Sequence, residues 1–130
     1  MKNIAIHGRK IKPTSVKEVQ ALLHQLVSRK IQLSVSSDFL NLNQAILSDF
    51  SLQVYGPNQA YKKFDAFISI GGDGTFLETL THVGSLETPI LGINTGRLGF
   101  LASISQDQIR GAIDKLLTGV YEIEKRVLVF

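Results

Sequence analysis

The residues of this 130-residue chain best suited to chemistry lie in two glycine-rich runs, Gly71-Gly72-Asp73-Gly74-Thr75 and Gly92-Ile93-Asn94-Thr95-Gly96-Arg97-Leu98-Gly99-Phe100. In the first, three glycines surround one carboxylate. Missing side chains let a polyphosphate approach backbone N–H groups, and a helix beginning near Thr75 would turn its positive end toward the same anion. The run is not a P-loop, because no Lys-Ser/Thr follows at the required spacing. It is not a G-x-G-x-x-G fingerprint either, because position 77 is Leu. A carboxylate beside bound phosphate is repelled unless it has a task. Asp73 suits three: proton acceptor for an attacking hydroxyl, orienter of a ribose hydroxyl, or ligand of a bridging Mg²⁺. The competing account is a tight turn whose Asp73 or Thr75 caps the following helix. The second run offers an amide at Asn94 and an aromatic at Phe100. Asn94 could equally bond its own loop, and Phe100 could equally close a core.

These loops need strands and helices to position them, and the chain supplies both in alternation. Ile4-Ala5-Ile6 is a short apolar run ending at Gly8, followed by a basic loop from Arg9 to Pro13. Ser15 with Glu18 spells a capping box, and apolar residues recur at helical spacing from Val16 to Val27, giving a helix through Ser28. Ile31, Leu33 and Val35 alternate as a second strand. Asp38 onward, with Phe39, Leu42, Ala45, Ile46 and Phe50, reads as a shorter helix, and Leu52 to Tyr55 as a weak strand. Ala66 to Ile70 then runs into the first glycine loop, after which Phe76, Leu77 and Leu80 continue at helical spacing. Pro89 to Ile93 is another buried strand leading into the second loop. Ser105 with Gln108 again suggests a helix start before Ile109 to Leu117, with Gly119 as its stop. Tyr121 to Phe130 reads as strand. The pattern predicts an α/β fold, a Rossmann-like three-layer domain with a mainly parallel sheet. Both glycine loops follow strands, so both belong on the carboxyl rim where ligands of such sheets sit.

Composition narrows the classes. At 44% hydrophobic and 19% charged, the chain is ordinary globular material, with room for one core. There is no cysteine, which excludes disulfides, thiolate metal sites and cysteine nucleophiles. A net charge of +3 without Lys/Arg runs beyond two residues gives no nucleic-acid footprint. No stretch approaches the ~20 apolar residues of a membrane span, and the first residues lack a secretory apolar core. The expectation is a cytoplasmic protein with small-molecule nucleotides as partners, no nucleic acid and no membrane. His7, His24 and His82 share no metal-ligand spacing, so no protein metal site is expected, and each suits a surface or partly buried structural role.

The run Gly71-Gly72-Asp73-Gly74-Thr75-Phe76-Leu77, with Pro89 to Leu101 at this spacing, closely resembles the NAD kinases, which make NADP from NAD. The first motif is shared with the wider diacylglycerol, sphingosine and phosphofructokinase-like kinases; the second is more specific. Tyr121 to Arg126 looks like the segment leading into that family's second domain. The resemblance implies ATP or polyphosphate as donor, Mg²⁺, and NAD as substrate. It makes Asp73 the proton acceptor for the adenosine ribose 2′-hydroxyl, with Asp73 and Gly74 on the dinucleotide. Residues Gly71, Gly72 and Thr75 of the turn would hold phosphates, and Phe100 would pack on a base or nicotinamide. Glu78 stands where many relatives carry a basic residue, so no nucleotide contact is carried over to it. Arg97 suits phosphate pairing or a solvated position, and Gly8-Arg9-Lys10 suits either donor phosphates or a solvated basic loop.

The family's second, β-rich domain, with its Asn-Glu/Asp motif, has no counterpart in these residues. The expectation is an α/β nucleotide-binding domain over 1–120, with 121–130 as the start of the second domain. The chain would then be the N-terminal part of an NAD kinase, inactive alone and a homo-oligomer when full length. A lipid kinase of the wider superfamily and a non-catalytic nucleotide-binding module are the alternatives.

Overall fold

A computed structural model describes residues 2–56, 64–83, 88–94, 106–118 and 127–129. Six strands form one sheet: β1 (Asn3–Gly8), β2 (Gln32–Ser36), β3 (Gln53–Tyr55), β4 (Ala66–Gly71), β5 (Ile90–Asn94) and β6 (Val127–Val129). Their order is β3-β2-β1-β4-β5-β6, and every pairing is parallel. The α/β parallel architecture expected from the sequence is therefore present. Residues 127–129, expected at the start of a second domain, form the sixth strand of this sheet, with Ile90 opposite Val127.

The connecting helices are α1 (Val16–Ser28), α2 (Ser37–Leu42), α3 (Gln44–Leu47), α4 (Asp73–Val83) and α5 (Gln106–Thr118). Strand residues alternate between the two sheet faces. Ile4, Ile6, Leu33, Val35, Ile68, Ile70 and Leu91 meet Leu22, Leu23 and Leu26 of α1 and Ile113 and Leu116 of α5 in the main core. On the opposite face Ala5, Phe67 and Ile90 meet Tyr55 and Val83, with Phe64 and Phe76 packed against them. That second face is polar in its middle, because His7, Ser34, Ser36 and Ser69 are also buried.

Local starts and stops differ from the sequence pattern in three places. Ser15 makes no side-chain cap, because a 3-10 turn over Pro13–Ser15 leaves its backbone already helical (φ −111°, ψ −1°) rather than extended. The expected second helix breaks at Asn43, whose backbone turns out of the helix. The buried Asn43 amide donates to the carbonyls of Phe39 and Arg9 and accepts from the Ile11 N–H at 2.8 Å, so it ties the break to the loop after β1. In α4 the buried side chains are Thr75, Thr79 and Val83, while Leu77 and Leu80 are exposed, the reverse of a leucine-lined inner face.

Helix α1 ends without glycine. Lys30 takes the left-handed conformation (φ 60°), its N–H bonds the Val27 carbonyl, and the Ile31 N–H reaches back to Leu26. These are the two bonds of a Schellman stop, and buried Leu26 and Ile31 share the main core beside it. A side chain at left-handed φ costs ~1 kcal/mol or more. Lys30→Gly should therefore raise stability by ~0.5–1 kcal/mol, seen as a higher urea midpoint at unchanged slope.

Candidate functional site

The glycine turn is built at the end of β4. Gly71 closes the strand at φ 155°, and a Cβ there would stand 2.5 Å from the Thr75 hydroxyl oxygen, so the turn closes only around a bare backbone. Thr75 is buried under this turn and its carbonyl accepts from the Thr79 hydroxyl. Helix α4 begins at Asp73, two residues earlier than the sequence suggested, and the Phe76 N–H makes a helical bond to the Gly72 carbonyl. The N–H groups of the first turn have no acceptor within the helix and carry its positive end.

Asp73 is exposed at this helix start. Gly72 and Gly74 differ from Gly71: a Cβ on either would meet no described atom within 4 Å. Gly71, Gly72 and Asp73 line a cavity of about 290 Å³ with Ser69, Phe76, Leu77, Gly92 and Ile93. Asn94 lies opposite Gly71 in the β4–β5 register, which places it on the same rim. The structure thus gathers Gly71, Gly72, Asp73, Gly74, Thr75 and Asn94 at one edge. Phe100 and Arg97 lie outside the described residues, as do the helix start at Ser105 and the stop at Gly119.

Beside the turn stands a polar cluster that the sequence pattern did not reveal. His7, only 2% exposed, lies near the end of β1, and its Nδ1 is 2.7 Å from the Ser36 hydroxyl. Ser36 also caps α2 by accepting the Phe39 N–H. On the other side of the ring, His7 Nε2 is 3.6 Å from Glu78 Oε1. The His82 ring lies 4.3 Å from that of His7, and its Nδ1 is 3.0 Å from the Tyr55 hydroxyl. Glu78 also meets Arg9, with Nη2 2.8 Å from Oε1. Glu78 is therefore not a plain surface residue, and His7 is fully buried rather than partly so. No residue spacing could signal contacts between positions 7, 36, 78 and 82.

Burial lowers the pKa of His7 below 6.5, against the opposing pull of Glu78, and burial with the neighbouring His7 lowers that of His82. Burial likewise raises that of Tyr55. The fold therefore favours neutral imidazoles.

A parallel α/β sheet with a glycine turn, a helix start and a cavity on its carboxyl rim defines a Rossmann-like domain with its ligand edge at the loops after β1, β4 and β5. The chain belongs to the ATP-NAD kinase N-terminal domain family, which it matches over residues 4–121. It is 37% identical over 127 residues to an NAD kinase of Cytophaga hutchinsonii, covering 96% of this chain and 44% of that protein. It is 36% identical over 129 residues to an NAD kinase of Porphyromonas gingivalis, covering 98% and 44%. The chain thus spans less than half the length of these curated relatives. The fold also matches the crystal structure of yeast NADH kinase complexed with NADH, at TM-score 0.68 and 19% identity, over 91% of this chain and 38% of that one.

Two outcomes follow. Gly71→Ala should lower stability by ~1–3 kcal/mol through strain against Thr75, whereas Gly74→Ala, in the first turn of α4, should hold or slightly raise the thermal midpoint. For the histidines, an unfolded chain binds protons near pH 6.5 that the folded state refuses. Stability should be full above that value and fall as the pH drops below it toward the folded-state pKa, and His7→Asn should flatten this slope in urea titrations at several pH values.

Proposed function

We propose that the full-length protein is an NAD kinase that transfers the terminal phosphate of ATP, or of polyphosphate, to the 2′-hydroxyl of the adenosine ribose of NAD, giving NADP. The observation that carries this reading is Asp73, exposed at the start of α4 and flanked by glycines that leave its surroundings open. The family assignment and the relatives' shared activity support the substrates, as does the NADH in the yeast neighbour. The second part of the longer chain would complete the site and build a homo-oligomer. Among the described residues no helix is long and apolar enough to cross a membrane, and a cytoplasmic setting with free nucleotides as partners is part of the proposal.

In this mechanism the acceptor ribose lies against the Asp73 cavity and the carboxylate takes the 2′-hydroxyl proton as its oxygen attacks the terminal phosphorus in line. Gly71, Gly72 and Gly74 allow phosphate oxygens to reach the amides at the start of α4, which stabilise the charge that builds there. Thr75 keeps the turn closed from beneath, Asn94 lies on the same rim, and Phe100 would pack against a bound base or nicotinamide. Among the described residues no three His, Asp or Glu side chains gather into a metal centre. Mg²⁺ would be carried on the phosphate oxygens of the nucleotide, where it would neutralise their charge and leave the Asp73 carboxylate free to take the proton.

Asp73→Asn in the full-length protein should keep the wild-type melting temperature and lower NADP formation, followed by a coupled dehydrogenase assay, by about 10²–10⁴-fold. Near-normal turnover would remove Asp73 as the base. Phosphorylation of diacylglycerol or a sphingoid base in place of NAD would move the protein to the lipid kinases, and binding of NAD and ATP without turnover would make it a sensor.

A further inference from the structure

A second cavity, of about 230 Å³, opens on the Glu78 side of α4, and Asp73 is not among its walls. His7, Arg9, Asp38, Asn41 and Glu78 line it. Its place in the fold is specific. From β1 the chain runs outward through β2 and β3, then returns to lay β4 on the other side of β1, so the strand order reverses between β1 and β4. In open parallel sheets the crevice at such a reversal is where ligands bind.

Arg9 is held at this point by backbone bonds on both sides. Its N–H donates to the Ile70 carbonyl, the residue before Gly71, and its own carbonyl accepts from the Asn43 amide. At the side chain, Glu78 meets one guanidinium nitrogen at 2.8 Å, while the arginine remains 61% exposed. A guanidinium carries five N–H donors in a rigid fork, so one carboxylate contact fixes it without exhausting it. An independent sign of a missing ligand comes from the floor. His7 Nε2, in a residue only 2% exposed, has no hydrogen-bond partner: the nearby Glu78 Oε1 stands 3.6 Å away and is held by Arg9.

We propose that this crevice is a phosphate subsite of the nucleotide site, in which Arg9 binds a phosphate oxygen pair and Glu78 is a positioning residue that holds the guanidinium in place. The inference rests on the kinase reading for the identity of the nucleotides, and phosphate is the chemistry it commits to. Two sources carry that chemistry: the polyphosphate of the donor and the pyrophosphate of NAD. The acidic side chains fit this arrangement because the guanidinium stands between Glu78 and the incoming anion. Without Arg9, Glu78 and Asp38 would repel the same phosphate.

The test uses the full-length protein with ATP and NAD as probes. Losing a charge-assisted bidentate contact should cost roughly 10–100-fold in affinity. Arg9→Ala should raise one KM by that factor and leave the other within about twofold. A raised KM for ATP assigns the subsite to the donor, and a raised KM for NAD assigns it to the acceptor. Arg9→Lys should recover part of the loss, because charge returns without the fork. Glu78→Gln should raise the same KM by less, with kcat kept. Lys17→Ala, at an exposed position of α1, is the control. If both KM values for Arg9→Ala equal the wild type, the subsite is wrong. If Glu78→Gln lowers kcat and melting temperature together without moving that KM, the positioning role is wrong. Calorimetric titration of ATP and NAD separates this from the kinase assignment. Should the wild type bind nucleotides without forming NADP, the kinase reading fails alone. Weaker binding by Arg9→Ala would still support the subsite, and equal binding would overturn it.

Discussion

The pairing of β1 with β4 is the constraint on which the rest of the site depends. Gly8 stands opposite Ile70, and the Arg9 N–H bonds the Ile70 carbonyl. This register sets the loop after the first strand beside a turn more than sixty residues away in sequence. It holds only because Gly8 has no side chain: a Cβ there would lie 2.6 Å from the Ile70 carbonyl oxygen and 2.7 Å from the Phe39 ring. Phe39 packs so closely because Ser36 caps α2 and Asn43 ends it. A backbone register, a bare glycine and a short capped helix therefore act together to fix one crevice.

How much of this could be read from the sequence depended on whether the signal was local. Gly71 to Thr75 and the flanking strands were legible, because apolar strand, glycine turn and helix are neighbours along the chain. The parallel sheet followed from the alternation of elements. The inner face of α4 was misread, since Leu77 and Leu80 look like core residues while Thr75, Thr79 and Val83 are the ones buried. The cause lies in the sheet: the face beneath α4 carries His7, Ser34, Ser36 and Ser69, and small or polar residues suit that floor better than leucines.

The polar cluster was illegible for a different reason. A histidine in an apolar strand, a serine at a helix start and a glutamate on a later helix each have an ordinary explanation. Only the fold brings His7 to Ser36 and Glu78. The end of α1 at Ser28 was legible, but the left-handed Lys30 that closes it was not, because the tertiary fit of Ile31 against Leu26 makes a lysine accept a conformation usually given to glycine. Thr75, which the sequence offered as a phosphate-holding residue or as a cap of the following helix, lies buried beneath the turn.

The glycines themselves separate structure from ligand. Gly8 and Gly71 are required by the protein, since a methyl group at either would strike its own neighbours. Gly72 and Gly74 are not, since a methyl group would reach open space. Glycine in an element costs ~0.5–1 kcal/mol relative to alanine, because more backbone freedom is lost on folding. At Gly74, in the first turn of α4, nothing among the described residues offsets that cost. In the proposed function the offset is a bound phosphate, which would lie on the amides at the start of α4 where bare backbone lets it approach.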